Sequence, residues 1–272
     1  MTSITKFDLL ANAKDSLAHA VEHLTVANEP TPGDLKRAIQ DVAHVVQLML
    51  KERLRRVHPA FIWDNVDKYP SNSAFTISTD KAVNRLLRFG QVNLMEDEKK
   101  TIAKCRLIRN SIEHFEFEIE KKEAMGLIGR ILSFIFTFAK KQLDVDWESD
   151  FRKDKRWSKL VEIHEFWLAH SFAIHDRLEE EGAVVCSCPN CNAGTFDRDA
   201  DTCMLCGHSE EHHRCSYCRK TFWESELEKT DIMEGDYESG GAVTEGWICQ
   251  DCIDDAADAY MEYDIPSEPE PL

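Results

Sequence analysis

Eight of the ten cysteines fall in four CxxC pairs, Cys188/Cys191, Cys203/Cys206, Cys215/Cys218 and Cys249/Cys252. A two-residue gap lets both sulfurs of one tight turn face the same ion while amides of the turn hydrogen-bond to the thiolates. Two such turns complete the tetrahedral shell of a structural Zn²⁺. The four pairs therefore predict two structural Zn²⁺ ions, each held by four cysteines. Sequential pairing, first with second and third with fourth, is favoured over a cross-braced arrangement. Cys186, His208, His212 and His213 are further donors, read as onlookers. A full thiolate shell leaves no position for a substrate water, so the sites are structural. A disulfide framework is the competing reading, but Met1 to Leu10 carries no basic stretch followed by an apolar run. The expectation is a reducing, cytoplasmic setting.

The second constellation is Arg109-Asn110-Ser111-Ile112-Glu113-His114. Histidine titrates near neutrality and can give or take a proton. Arginine grips two phosphate oxygens and stabilises charge that grows on them. On a helix over Glu96–Glu123, residues Cys105, Ile108, Ile112, Phe115 and Ile119 make one face and Asn110 and His114 the opposite one. Leu107 and Phe117 share the face of His114, a second apolar stripe that predicts a partner, either another helix or a second copy. Arg109 and His114, about 140° apart around the helix, lie too far round for close contact within one chain. Lys99, Lys100, Lys104 and Arg106 stand upstream as guides for a nucleic-acid backbone.

These elements must be positioned by the rest of the chain. At 272 residues, 43% hydrophobic and 31% charged, it has the composition of a folded protein with room for two domains. The expected class is mainly α, a helical bundle followed by small zinc ribbons. Apolar residues at three- and four-residue steps mark a first helix through Leu9, Leu10, Ala13, Leu17, Ala20, Val21 and Leu24. A second follows Pro30-Thr31-Pro32-Gly33, capped by Asp34, with Leu35, Ile39, Val42, Val46, Met49, Leu50 and Leu54 on one side. A short helix covers Asp80–Phe89. Ala124–Leu143, apolar nearly all round, belongs in the middle of the bundle. Lys153–Glu181 reads as one connecting helix ended by Gly182. The boundaries are 5–145 for the bundle, 150–182 for the connector, 183–209 for the first ribbon and 210–265 for the second. No stretch is long and apolar enough to span a bilayer.

Charge divides the chain. Residues 1–182 carry 28 Lys and Arg against 29 Asp and Glu, whereas residues 183–272 carry 5 against 21. The acidic ribbons repel phosphate backbones, so any nucleic-acid contact is expected from the helical part; the ribbons suit a basic protein surface or the chain's own basic patches, the competing reading being a solubilising tail.

The Arg-Asn-x-x-x-His run, together with Leu50-Lys51-Glu52-Arg53-Leu54, His58-Pro59 and the all-helical setting, resembles the HEPN superfamily over roughly residues 5–145. The resemblance implies a metal-independent endoribonuclease, a toxin or anti-phage effector, with Arg109, His114 and Asn110 catalytic and two motifs meeting in a dimer cleft. His114-Phe115-Glu116 lacks the tyrosine of the His-x-Tyr branch, so that branch's regulation does not carry over. The alternative is a non-catalytic adaptor that uses the helical dimer and the acidic ribbons as docking surfaces. A third reading, a ribbon that contacts DNA or transcription machinery, suffers from the scarcity of basic residues there.

Overall fold

The computed structural model describes residues 6–27, 29–71, 73–234 and 242–255. The protein is mainly helical with small antiparallel sheets, as expected. The last ten residues assigned to the second ribbon, 256–265, lie outside the described part, as does residue 5. Among the described residues no helix is long and apolar enough to cross a membrane.

Helices α1 (Leu9–Thr25) and α2 (Pro32–Val57) pack side by side. All seven residues expected on one side of α2, from Leu35 to Leu54, are buried. Thr31 rather than Asp34 is its N-cap. Thr31 Oγ1 accepts the Asp34 amide at 3.2 Å and Asp34 Oδ2 accepts the Thr31 amide at 3.0 Å. Asp34 is thus the third-position partner of a capping box, with Pro32 in the first turn where a missing N–H costs nothing. Helix α3 (Thr79–Phe89) leads to α4 (Glu96–His114) and then to α5 (Lys121–Leu143). Helix α5 sits centrally against α2, α4 and α8 (His164–Glu181). At Gly129 of α5 an added Cβ would stand 2.7 Å from the Glu165 carbonyl carbon, so only glycine lets the two helices approach this closely.

Two expected helices differ from the structure. The long helix ends at His114, not Glu123, and Phe115 is extended (φ −142°, ψ 173°). The cause is legible in Phe115-Glu116-Phe117-Glu118-Ile119-Glu120, where Phe117 and Ile119 are half-buried while Phe115 and the glutamates are exposed. Alternation of this kind is the period-two signature of extended chain. The connector is also not one helix. The expected span holds α7 (Arg156–Glu162) and α8, with Ile163 extended between them, and a short helix α6 (Trp147–Arg152) precedes it. The break lets Trp157 and Phe166 both pack on Phe136, with ring centroids 5.5 and 6.2 Å away. Gly182 ends α8 in the left-handed conformation (φ 76°).

These helices are locked around one buried carboxylate. Glu148 is 3% exposed and is held by Arg152, by Arg177 at 3.3 Å and by His170 at 3.5 Å. Burial alone raises a carboxyl pKa, but the close approach and charge of His170, with the two guanidiniums, outweigh it and hold Glu148 far below the usual range. A depressed carboxylate contributes stability that is present above its unfolded pKa and is lost only as pH falls through the folded value. Glu148→Ala leaves the buried Arg177 and the part-buried Arg152 unpaired and is expected to cost roughly 3–5 kcal/mol in urea unfolding. A loss below 1 kcal/mol would contradict that role.

Candidate metal centres and the Arg109–His114 motif

The cysteine pairs assemble sequentially: Cys188, Cys191, Cys203 and Cys206 form one group, and Cys215, Cys218, Cys249 and Cys252 the other. Cys188 and Cys206 sulfurs are 3.7 Å apart, as are those of Cys191 and Cys203; Cys218 and Cys249 sulfurs are 3.8 Å apart. A tetrahedron with metal–sulfur bonds of about 2.3 Å has edges of about 3.8 Å, so the donor sets fit an ion of zinc's size.

The turns that present the sulfurs share a local rule. The residue after the second cysteine is left-handed in three of the pairs: Asn192 (φ 59°), Gly207 (φ 78°) and Arg219 (φ 62°). That conformation closes the loop, with the Asn192 amide on the Cys188 carbonyl at 2.9 Å and the Gly207 amide on the Cys203 carbonyl at 2.9 Å. The Cys206 amide points at the Cys203 sulfur at 3.5 Å, and Thr195 Oγ1 stands 3.3 Å from the same sulfur. Such contacts favour the thiolate. The onlookers stay outside both groups: His208 contacts Glu210 at 2.9 Å, His212 contacts Asp201 at 2.9 Å, and His213 stacks on Trp247. Cys186 lies in strand β1 (Val185–Cys186).

The two centres are embedded differently. Around the first, β1, β2 (Phe196–Asp197) and β3 (Thr202–Cys203) form a three-stranded sheet. Cys188, Phe196, Cys203 and Leu205 belong to the same apolar core as the helices. Trp157 donates to the Leu205 carbonyl at 2.7 Å and Trp167 to the Cys191 carbonyl at 3.1 Å. The second centre lies among the hairpins β4 (His212–Arg214)/β5 (Thr221–Trp223) and β6 (Leu227–Glu234)/β7 (Ala242–Cys249). Its small core, Cys215, Leu227, Ile248 and Cys249, is separate.

The Arg-Asn-x-x-x-His run occupies the last turns of α4. His114 is its final residue and is 65% exposed. Arg109 Nε pairs with Glu113 Oε1 at 2.9 Å, its Nη1 donates to Asn110 Oδ1 at 3.2 Å, and His114 Nε2 stands 3.9 Å from Glu113 Oε2. Arg109 and His114 therefore reach one carboxylate within a single chain. The two side chains share Glu113 as a neighbour; no contact between them is formed among the described residues. Asn110 does not oppose the core. With Arg106, Arg109, Gln47, Ser78 and Thr79 it rims a cavity of about 140 Å³ floored by Ile102, Cys105 and Ile131. Gln47, Ser78 and Thr79 come from other elements, so no local motif could reveal them. Cys105 is a core thiol as expected, its pKa pushed up to about 12 by burial.

The second stripe is altered. Leu107 is 56% exposed, while Phe117 has left the helix and packs half-buried against the core beside Ile119; Phe115, expected on the core face, is instead 76% exposed because the helix ends before it. The four upstream cations are paired: Lys99 with Glu96, Lys100 with Asp97, Lys104 with Glu123 and Arg106 with Asp80. Such surface pairs are weak and open readily. No protein-family model matches the chain, and no curated protein or solved structure is significantly similar to it.

Proposed function

We propose that the chain holds two structural Zn²⁺ ions through its eight paired cysteines, and that its helical part is a metal-independent endoribonuclease. The zinc reading rests on the tetrahedral sulfur spacing and the all-thiolate donor sets. Protein prepared without chelator is expected to carry two zinc ions per chain by elemental analysis. One or none overturns it.

The ribonuclease reading rests on the convergence of Arg109 and His114 on one carboxylate at the exposed end of α4, beside a cavity that Asn110 rims. His114 takes the proton of the RNA 2′-hydroxyl, whose oxygen bonds to phosphorus while the bond to the 5′-oxygen breaks. Arg109 swings from Glu113 to the phosphate oxygens and stabilises the growing charge. Asn110 orients Arg109. The departing 5′-oxygen collects its proton from a histidine, His114 again or that of a second copy. Exposed Leu107 and Phe115 flank this face and are suited to a homodimer that juxtaposes two motifs. The test is cleavage of mixed RNA in EDTA, with products ending in a 2′,3′-cyclic phosphate.

The second reading, a docking protein without catalysis, is favoured by the pairing of Arg109 with Glu113 and by the same exposed apolar residues. Under it Leu107→Glu abolishes assembly, while His114→Ala changes nothing.

A further inference from the structure

The second ribbon carries one more set of metal donors, made of neither thiolates nor acids alone. We propose that Glu211, His213 and Glu224 form a third metal site, open to solvent, that takes a divalent transition ion such as Zn²⁺.

One donor atom from each of the three residues lies within 4.8 Å of the others. A tetrahedral ion with bonds of about 2.0–2.2 Å holds its ligands about 3.3–3.6 Å apart, the separation already present between His213 Nε2 and the Glu211 carboxylate at 3.6 Å, so rotation of the exposed glutamate side chains closes the set. The backbone already brings the elements together. His213 faces Phe222 across the β4/β5 hairpin, and the Glu224 amide donates to the Glu211 carbonyl at 2.9 Å. Both carboxylates therefore leave the same edge of the hairpin as the imidazole.

The histidine supplies an independent observation. The His213 side chain is 26% exposed, but its Nε2 is covered by its neighbours and has no hydrogen-bond partner, the Glu211 carboxylate at 3.6 Å being too distant to be one. An orphaned buried nitrogen costs free energy unless something satisfies it. The ring cannot easily turn away, because it lies flat on Trp247, with centroids 4.4 Å apart and planes 10° apart. An ion placed between Nε2 and the two carboxylates supplies the missing partner and relieves repulsion between two acids in an already acidic region. One imidazole and two carboxylates suit zinc, manganese or nickel rather than the thiolate-selective ions. Three protein ligands leave positions for water, which the Cys₄ centres do not. The site should therefore exchange its ion where they hold theirs.

The test uses the full chain, desalted and shown by elemental analysis to retain its two tightly held ions, then titrated calorimetrically with zinc chloride near neutral pH. One further ion per chain is expected. Glu211→Gln and Glu224→Gln, which leave the Trp247 stack and both cysteine groups intact, should each weaken it at least about tenfold, and His213→Ala should do the same. All three variants should keep the two tight ions, which separates loss of this site from loss of the ribbon. Absence of a third binding event, or an affinity unchanged in both glutamine variants, overturns the proposal.

Discussion

Replacing His114 by alanine is expected to reduce RNA cleavage at least about a hundredfold, the lower range for losing a general acid–base group. Arg109→Ala should cost about as much through loss of charge stabilisation at the phosphorane. Both side chains are exposed or half-exposed at the end of α4, so neither change should lower thermal stability by more than a degree or two. That separates catalysis from folding. Glu113 decides how the site is read. Its ion pair with Arg109 is half-exposed, and pairs open to solvent contribute about 1 kcal/mol or less, so Glu113→Ala should alter the rate less than about fivefold. DNA, lacking the attacking 2′-hydroxyl, should be untouched. Cleavage that survives His114→Ala ends this mechanism. Retention of a Leu107-dependent dimer together with complete inactivity points instead to the docking protein.

Much of this could be read from residue spacing, and the failures have physical causes. Four CxxC pairs announce their metal groups because two-residue gaps are short-range geometry, and the sequential pairing needed only the choice of nearest turns. Helices α1, α2 and α5 were legible because burial on one or all faces leaves a periodic stripe. The end of α4 was not, since Phe115 and Ile119 satisfy a helical period as well as an extended one. The glutamates between them, alternating at every second residue, carried the better signal. A buried carboxylate held by His170 and two arginines is a long-range fact that no local pattern encodes. The same holds for the cavity beside Arg109, whose rim comes from three separate elements.

Domain independence is where structure changes the expectation most. Read as a sequence of modules, the first ribbon should be removable without disturbing the bundle. Its atoms are instead part of the bundle's core. Phe196 and Leu205 are fully buried with the helical residues, and two tryptophan indoles of α7 and α8 donate to ribbon carbonyls. Cys188→Ser/Cys191→Ser should remove one metal ion, whose binding in structural sites amounts to about 10–16 kcal/mol. The ribbon then opens, and Trp157 loses both its hydrogen bond and its apolar cover. Stripping the packing from one large core side chain costs about 3–5 kcal/mol. At about 2–4 °C per kcal/mol for a chain of this size, the helical unfolding transition followed by circular dichroism should fall by roughly 10 °C or more. Cys249→Ser/Cys252→Ser makes the matched control. It too should remove one ion, but the second centre has its own small core, so the helical transition should move by no more than about 2 °C. Equal shifts for the two pairs, or no shift for the first, would mean that the helices fold without their ribbon.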